Sequence, residues 1–88
     1  MNKNIRIEDL TFIIVTYRSN EIIDNCLKSL PDESSKIIVE NSNDENFKVS
    51  LEKKYINLKC YLTGKNIGYG AANNFGINKS LTKYIFIL

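Results

Sequence analysis

Four short runs of β-branched and aromatic residues punctuate this chain, and between successive runs lie stretches in which apolar residues recur at helical spacing. That rhythm constrains the fold more than any other feature. Runs without polar alternation suit strands buried on both faces, and such strands belong in parallel sheets covered by helices. The first run is Thr11-Phe12-Ile13-Ile14-Val15-Thr16. Ser19 or Asn20 then offers an N-cap, Glu21 suits the positive end of a helix dipole, and Ile22, Ile23, Cys26, Leu27 and Leu30 form an amphipathic helix that Pro31 ends. Lys36-Ile37-Ile38-Val39 is a second buried strand, stopped by the turn formers Glu40-Asn41-Ser42-Asn43-Asp44. Phe47, Leu51 and Tyr55 at i, i+4, i+8 predict a short helix. Leu58 to Thr63 reads as a third strand, followed by the glycine-rich Gly64-Lys65-Asn66-Ile67-Gly68-Tyr69-Gly70. A helix over Ala71 to Leu81 comes next, with Ala72, Phe75 and Ile77 on its apolar side, and Lys83 to Leu88 is the fourth strand. The order β-α-β-α-β-α-β predicts an α/β fold: a three-layer α/β/α, Rossmann-like parallel sheet with right-handed crossovers.

Composition narrows the class further. At 88 residues the chain holds one domain, taken as a single unit over residues 1–88. With 43% hydrophobic and 25% charged residues it is neither disordered nor a collagen-like or disulfide-dominated chain. A net charge of +2 with scattered lysines gives no reason to expect a nucleic-acid partner, and the lysines read as solvated surface. Cys26 and Cys60 lie far apart with no histidine in the chain, too few ligands for zinc. Both are expected to be buried thiols in a reducing cytoplasm. The apolar runs fall far short of the roughly 20 residues that span a bilayer, so no transmembrane segment is expected, and Met1-Asn2-Lys3-Asn4 has no signal-peptide core.

In an open parallel sheet, ligands bind beyond the carboxyl ends of the strands. Here those ends read Thr16-Tyr17-Arg18-Ser19, then Glu40 to Asp44, then Thr63 to Gly68, three polar loops expected to converge on one edge. Tyr17 offers a face on which a base can stack, or it packs under a loop. Glu40, directly after a buried run, can accept from a base imide or a ribose hydroxyl at the mouth of the sheet; the alternative is a helix cap or a solvated turn residue. The glycines ahead of the last helix either leave backbone N–H groups open to an anion or only permit a tight turn, and Lys65 either adds charge for a diphosphate or is solvated.

Several classes fall away. A dinucleotide-binding or P-loop enzyme needs its glycines just after the first strand, where this chain has Tyr17-Arg18-Ser19-Asn20. Gly68-Tyr69-Gly70 begins like G-x-G-x-x-G but ends in Asn73 and follows the third strand. A response regulator would carry paired acids after the first strand, and none stand there.

Three segments together resemble a known family. Ile14-Val15-Thr16-Tyr17 resembles the opening V-T-Y-N of family 2 glycosyltransferases, and Ile38 to Asp44 resembles their V-D-N-x-S-x-D segment. Asn66-Ile67-Gly68-Tyr69-Gly70-Ala71-Ala72-Asn73-Asn74-Phe75-Gly76 is similar to N-x-G-x-x-x-x-N-N-x-G, most of all in the rhamnosyltransferase-like branch. The resemblance runs from about Thr11 to Leu88 with the motifs in family order. It implies the N-terminal half of a GT-A fold, binding a UDP- or dTDP-linked sugar for transfer to a saccharide or lipid-linked acceptor. Such work belongs to cell-envelope polysaccharide synthesis at the cytoplasmic side of the inner membrane.

Carried over by residue, Thr16 and Tyr17 flank the base, Glu40 takes the place of the usual aspartate beside Asn41, and Asn66, Gly68 and Asn74 shape the donor pocket. Glu40 and Arg18, where asparagine is common, depart from the pattern. In the family a strand like Tyr84 to Leu88 leads into an N-P-D or D-x-D carboxylate that binds Mg2+ or Mn2+. Those ligands, the acceptor-binding half and a general base are not among these residues. The resemblance therefore implies a fragment with a donor site and no catalytic residues, not expected to transfer sugar alone. The alternative expectation is a non-catalytic nucleotide-binding or interaction module that completes its sheet by pairing the final strand with a partner chain.

Overall fold

The structure is a computed structural model that describes residues 5–18 and 20–88. Ser19 lies outside the described residues, as do the side chains of Asn20 and Glu21, so the capping and dipole roles expected of these three stand outside them.

Among the described residues a 3-10 turn at Ile7–Asp9 precedes seven alternating elements: β1 (Leu10–Thr16), α1 (Asn20–Lys28), β2 (Ser35–Glu40), α2 (Glu45–Lys54), β3 (Leu58–Leu62), α3 (Tyr69–Lys79) and β4 (Tyr84–Ile87). The strands form one sheet in the order β3-β2-β1-β4, and every neighbouring pair is parallel. The predicted α/β/α layering is what forms, consistent with a Rossmann-like GT-A half.

The period-two geometry of strands divides the core between two faces. Ile14, Ile38, Leu58 and Cys60 meet Ile23 and Leu27 of α1 and Phe47 and Leu51 of α2 on one face. Ile13, Ile37 and Val39 meet Ala72 of α3 on the other. Burying a side chain as completely as Leu27 contributes about 1.5–3 kcal/mol, so each face holds its helices by a few such contacts.

Some boundaries differ from the sequence reading, for local reasons. The first helix ends at Lys28 rather than Leu30, because Ser29 and Leu30 donate to carbonyls three residues back and tighten the chain before Pro31. The third begins at Tyr69 rather than Ala71, since Gly68, at φ 90°, serves as its N-cap. It ends at Lys79 and leaves Leu81 98% exposed. Asp44 caps α2, its side chain accepting from the Phe47 N–H at 3.0 Å.

Two expectations about residue environment need correction. Lys36 is not solvated: it is buried, with Nζ donating to the carbonyls of Asp32, Ser34 and Ile56 at 3.1–3.2 Å. An ammonium that finds three carbonyls can leave water. Of the two cysteines only Cys60 is buried; Cys26 is half-buried, beside the α1/α2 core.

The two sheet edges are unlike each other. At β3 the Cys60 N–H donates to the Glu52 carboxylate at 2.9 Å, and Lys48 donates to the Cys60 carbonyl at 2.9 Å, so a side-chain pair of α2 occupies that edge. On β4, Ile85, Phe86 and Ile87 are all partly exposed.

Candidate functional site

Register and alternation build the site. Thr16, Glu40 and Leu62 lie side by side at the carboxyl ends of β1, β2 and β3 and share one face of the sheet. Glu40 is 1% exposed and Thr16 is 4% exposed, so this row sits beneath the loops rather than in solvent. The Thr16 hydroxyl donates to Glu40 Oε1 at 2.6 Å. Glu40 Oε2 accepts from the Ser42 hydroxyl and, at 3.4 Å, from the Arg18 N–H. Glu40 therefore stands where the sequence placed it along the chain, but its carboxylate is turned inward and joins the first two loops. These hydrogen bonds satisfy both oxygens of a side chain closed off from solvent.

Asn41, 3% exposed, joins all three loops. Its N–H donates to the Thr16 carbonyl at 2.8 Å, and its side-chain amide donates to the Gly68 carbonyl at 3.3 Å. Its Oδ1 accepts from the Thr63 hydroxyl at 3.1 Å and the Ile67 N–H at 3.4 Å. Backbone bonds from Thr63 to the Glu40 carbonyl and from Gly64 to the Ser42 carbonyl complete the junction. Asn66 and Gly68 belong to it through one more bond, the Gly68 N–H donating to Asn66 Oδ1 at 2.9 Å.

Above this buried base, Tyr17 is 49% exposed, with the Arg18 guanidinium carbon 5.3 Å from its ring centre. Arg18 has φ 54°, a left-handed conformation uncommon for a residue with a side chain. A cavity of about 400 Å3 opens beside it, lined by Arg18, Ser42, Asn43 and Asp44, within the roughly 300–1,000 Å3 range of small-molecule sites. The N-terminus of α3, the positive end of its dipole, lies at this same end of the sheet. Lys65 is exposed in the loop that leads to it.

Of the residues singled out from sequence, the structure unites Thr16, Glu40, Asn41, Asn66 and Gly68 in one hydrogen-bonded group with Tyr17 at its rim. Asn74 is not drawn in; it stands exposed on α3, while its neighbour Asn73 faces the protein. Asn73 is 6% exposed, and its Oδ1 has no hydrogen-bond partner among the described residues. Sequence reasoning passed over it and the bonding of Ser42. The motif already held Asn73 beside Asn74, and helical phase, which puts it three residues from Gly76 on the packed side, is the signal that separates the two.

The chain matches the family model for glycosyl transferase family 2 over residues 11–88. It belongs to glycosyl transferase family 2. A search of curated proteins and a search of solved structures gave no match. Family 2 enzymes generally work with a divalent metal, but the residues here do not fit one. Among the described residues no three His, Cys, Asp or Glu side chains gather as a metal site. Glu40 is spent on its hydrogen bonds, and one oxygen of Asp44 is spent on the α2 cap. No helix among the described residues is long and apolar enough to cross a membrane.

Proposed function

We propose that this family 2 chain carries the donor-nucleotide site of a glycosyltransferase that uses a nucleoside diphosphate sugar, with UDP or dTDP as the carrier. The observation that supports this most is the Asn41 junction, which draws three separate polar loops together at the carboxyl edge of a parallel sheet. In this reading the base lies against Tyr17 and the adjoining cavity, and the diphosphate turns toward the α3 N-terminus, where aligned peptide dipoles favour negative charge. Thr16, Glu40 and Asn41 hold the floor, Asn66 and Gly68 shape the wall nearest the phosphates, and Asn74 contributes from the outer side of α3. The motif from Asn66 to Gly76 supports the finer placement in the rhamnosyltransferase-like branch. The sugar itself would project from the diphosphate toward residues other than these.

The test is an NMR titration of the chain with UDP and with dTDP. Saturable shifts are expected at the amides of Tyr17, Glu40 and Gly68. Shifts confined to scattered lysines would mean charge attraction alone and would defeat the proposal.

A further inference from the structure

We propose that the amino edge of the sheet, at the far end from the nucleotide loops, docks on an anionic lipid bilayer through the loops that enter β3 and β4. The inference stands apart from the nucleotide-site reading.

Because every strand is parallel, every segment that enters a strand lies at one edge. Two of these segments hold out an aliphatic side chain. Ile56, between α2 and β3, is 62% exposed, and Leu81, between α3 and β4, is 98% exposed. The two are neighbours in space, since both line a cavity of about 510 Å3 with Lys59, Tyr61 and Lys79. A leucine so exposed gains nothing from the fold's own core, and apolar surface rimmed by charge marks a place of interaction.

The rim is basic, although the chain as a whole carries only +2. Lys53 closes α2, Lys59 opens β3, Lys79 closes α3 and Lys83 precedes β4, and all four are exposed. None of them pairs with a carboxylate among the described residues. Lys79 is held at the rim, 5.5 Å from the centre of the Tyr61 ring. Glu52 also lines the cavity, but its carboxylate accepts from Lys48 and from the Cys60 N–H. The other carboxylates of this edge lie on the two remaining segments. Glu8 and Asp9, ahead of β1, are engaged by Arg6, and Asp32 and Glu33, ahead of β2, act on the buried Lys36. The edge therefore has a basic, apolar half at β3 and β4.

This charge selects an anionic surface, and the shape of the patch selects a bilayer. A peptide groove buries its anchors in recessed walls, whereas Leu81 projects from its loop. A projecting aliphatic between ammonium groups can enter the acyl boundary while the lysines meet lipid phosphates. The contact is peripheral and leaves the carboxyl-edge loops in water, open to small ligands.

The experiment floats the full chain on vesicles of phosphatidylglycerol mixed with phosphatidylcholine, and on phosphatidylcholine alone. Wild type should float with the anionic vesicles, less so as salt rises, and far less with phosphatidylcholine alone. Leu81→Ser should weaken the partition by about tenfold while leaving the urea midpoint unchanged, because the side chain touches almost nothing in the fold. Lys59→Gln combined with Lys79→Gln should weaken it by about twentyfold, near fivefold for each charge. Lys65→Gln, on a loop at the other edge, should leave it unchanged. Failure to float, equal partition onto both vesicles, an unaffected Leu81→Ser, or a loss in Lys65→Gln as large as in the double variant would overturn the proposal. Saturable binding to polyglutamate that Leu81→Ser weakens, with no vesicle binding, would assign the edge to an acidic protein partner and overturn it too.

Discussion

Asn41 and Glu40 are adjacent in sequence and both buried, yet they satisfy their polar atoms in different ways, and that difference organises the site. Asn41 has donors and an acceptor and spends them on three loops; Glu40 has only acceptors and gathers hydroxyl and N–H donors. Because the Thr16 hydroxyl is one of the donors to a buried carboxylate, Thr16→Val should cost about 1–3 kcal/mol of stability. The urea midpoint measures it, and an unchanged midpoint would mean that the bond contributes nothing net. The identity of these residues was plain in the sequence, as was their place at strand ends. Whether the Glu40 carboxylate faces a ligand or the interior was not, since that depends on Thr16 lying in register beside it on a strand 24 residues away. Lys36 teaches the same point: only the folded chain brings the carbonyls of Asp32, Ser34 and Ile56 within reach of one ammonium.

The two glycines of α3 sit in opposite environments, one against the sheet and one in open space. A Cβ at Gly76 would stand 2.8 Å from Ile13 Cγ2 and 3.2 Å from Val39 Cγ2, both in the core under the helix. Gly76→Ala should therefore push α3 off the sheet and destabilise the fold by about 1–3 kcal/mol. A Cβ at Gly70 would meet nothing within 4 Å, and there alanine should stabilise by about 0.5–1 kcal/mol through better helix propensity and a less free unfolded chain. Thermal melts of the two variants should move in opposite directions, and a shared direction would refute the packing account. Helix phase also separates Asn73 from Asn74, which look equivalent as letters in a motif. Element existence was legible because apolar spacing follows the period of each structure. Ends were less so, being decided by short-range turns such as those of Ser29 and Leu30.

Across the whole molecule, the groups that couple folding to pH at the alkaline end lie on the α1/α2 side of the sheet. Burial pushes the Cys60 thiol up to about 12, and Tyr55 is likewise pushed up to about 12 by burial and by its hydrogen bond to Asp24. Both groups favour their protonated forms in the folded state. Their stabilisation is complete below the ordinary values of 9.0 and 10.0 and is lost as pH rises from there toward 12. Lys36 acts in the opposite sense, because burial lowers its pKa from 10.5 and deprotonation eases its desolvation as pH rises. Lys48, raised above 10.5 by its hydrogen bond to Glu52, adds to the alkaline loss, and Cys60 is among the most deeply buried side chains, so the net expectation is loss of stability beginning near pH 9. Urea melts at stepped pH should show it, with a shallower decline between pH 9 and 12 in Cys60→Ala. An equal slope in that variant would remove the thiol from the account.

The amino-acid sequence by itself determined the number and order of strands and helices, the parallel layered class and the three loops that converge, because hydrophobic period and turn chemistry are local properties of the chain. Three independent motifs in family order also carried the family, which the match over residues 11–88 bears out. Only the tertiary structure decided that β1 lies between β2 and β4, that Asn41 is the junction of the loops, that Glu40 points inward and that Asn73 rather than Asn74 is covered. Each of these depends on which face or edge a residue meets after distant segments come into register, and local spacing carries no information about that.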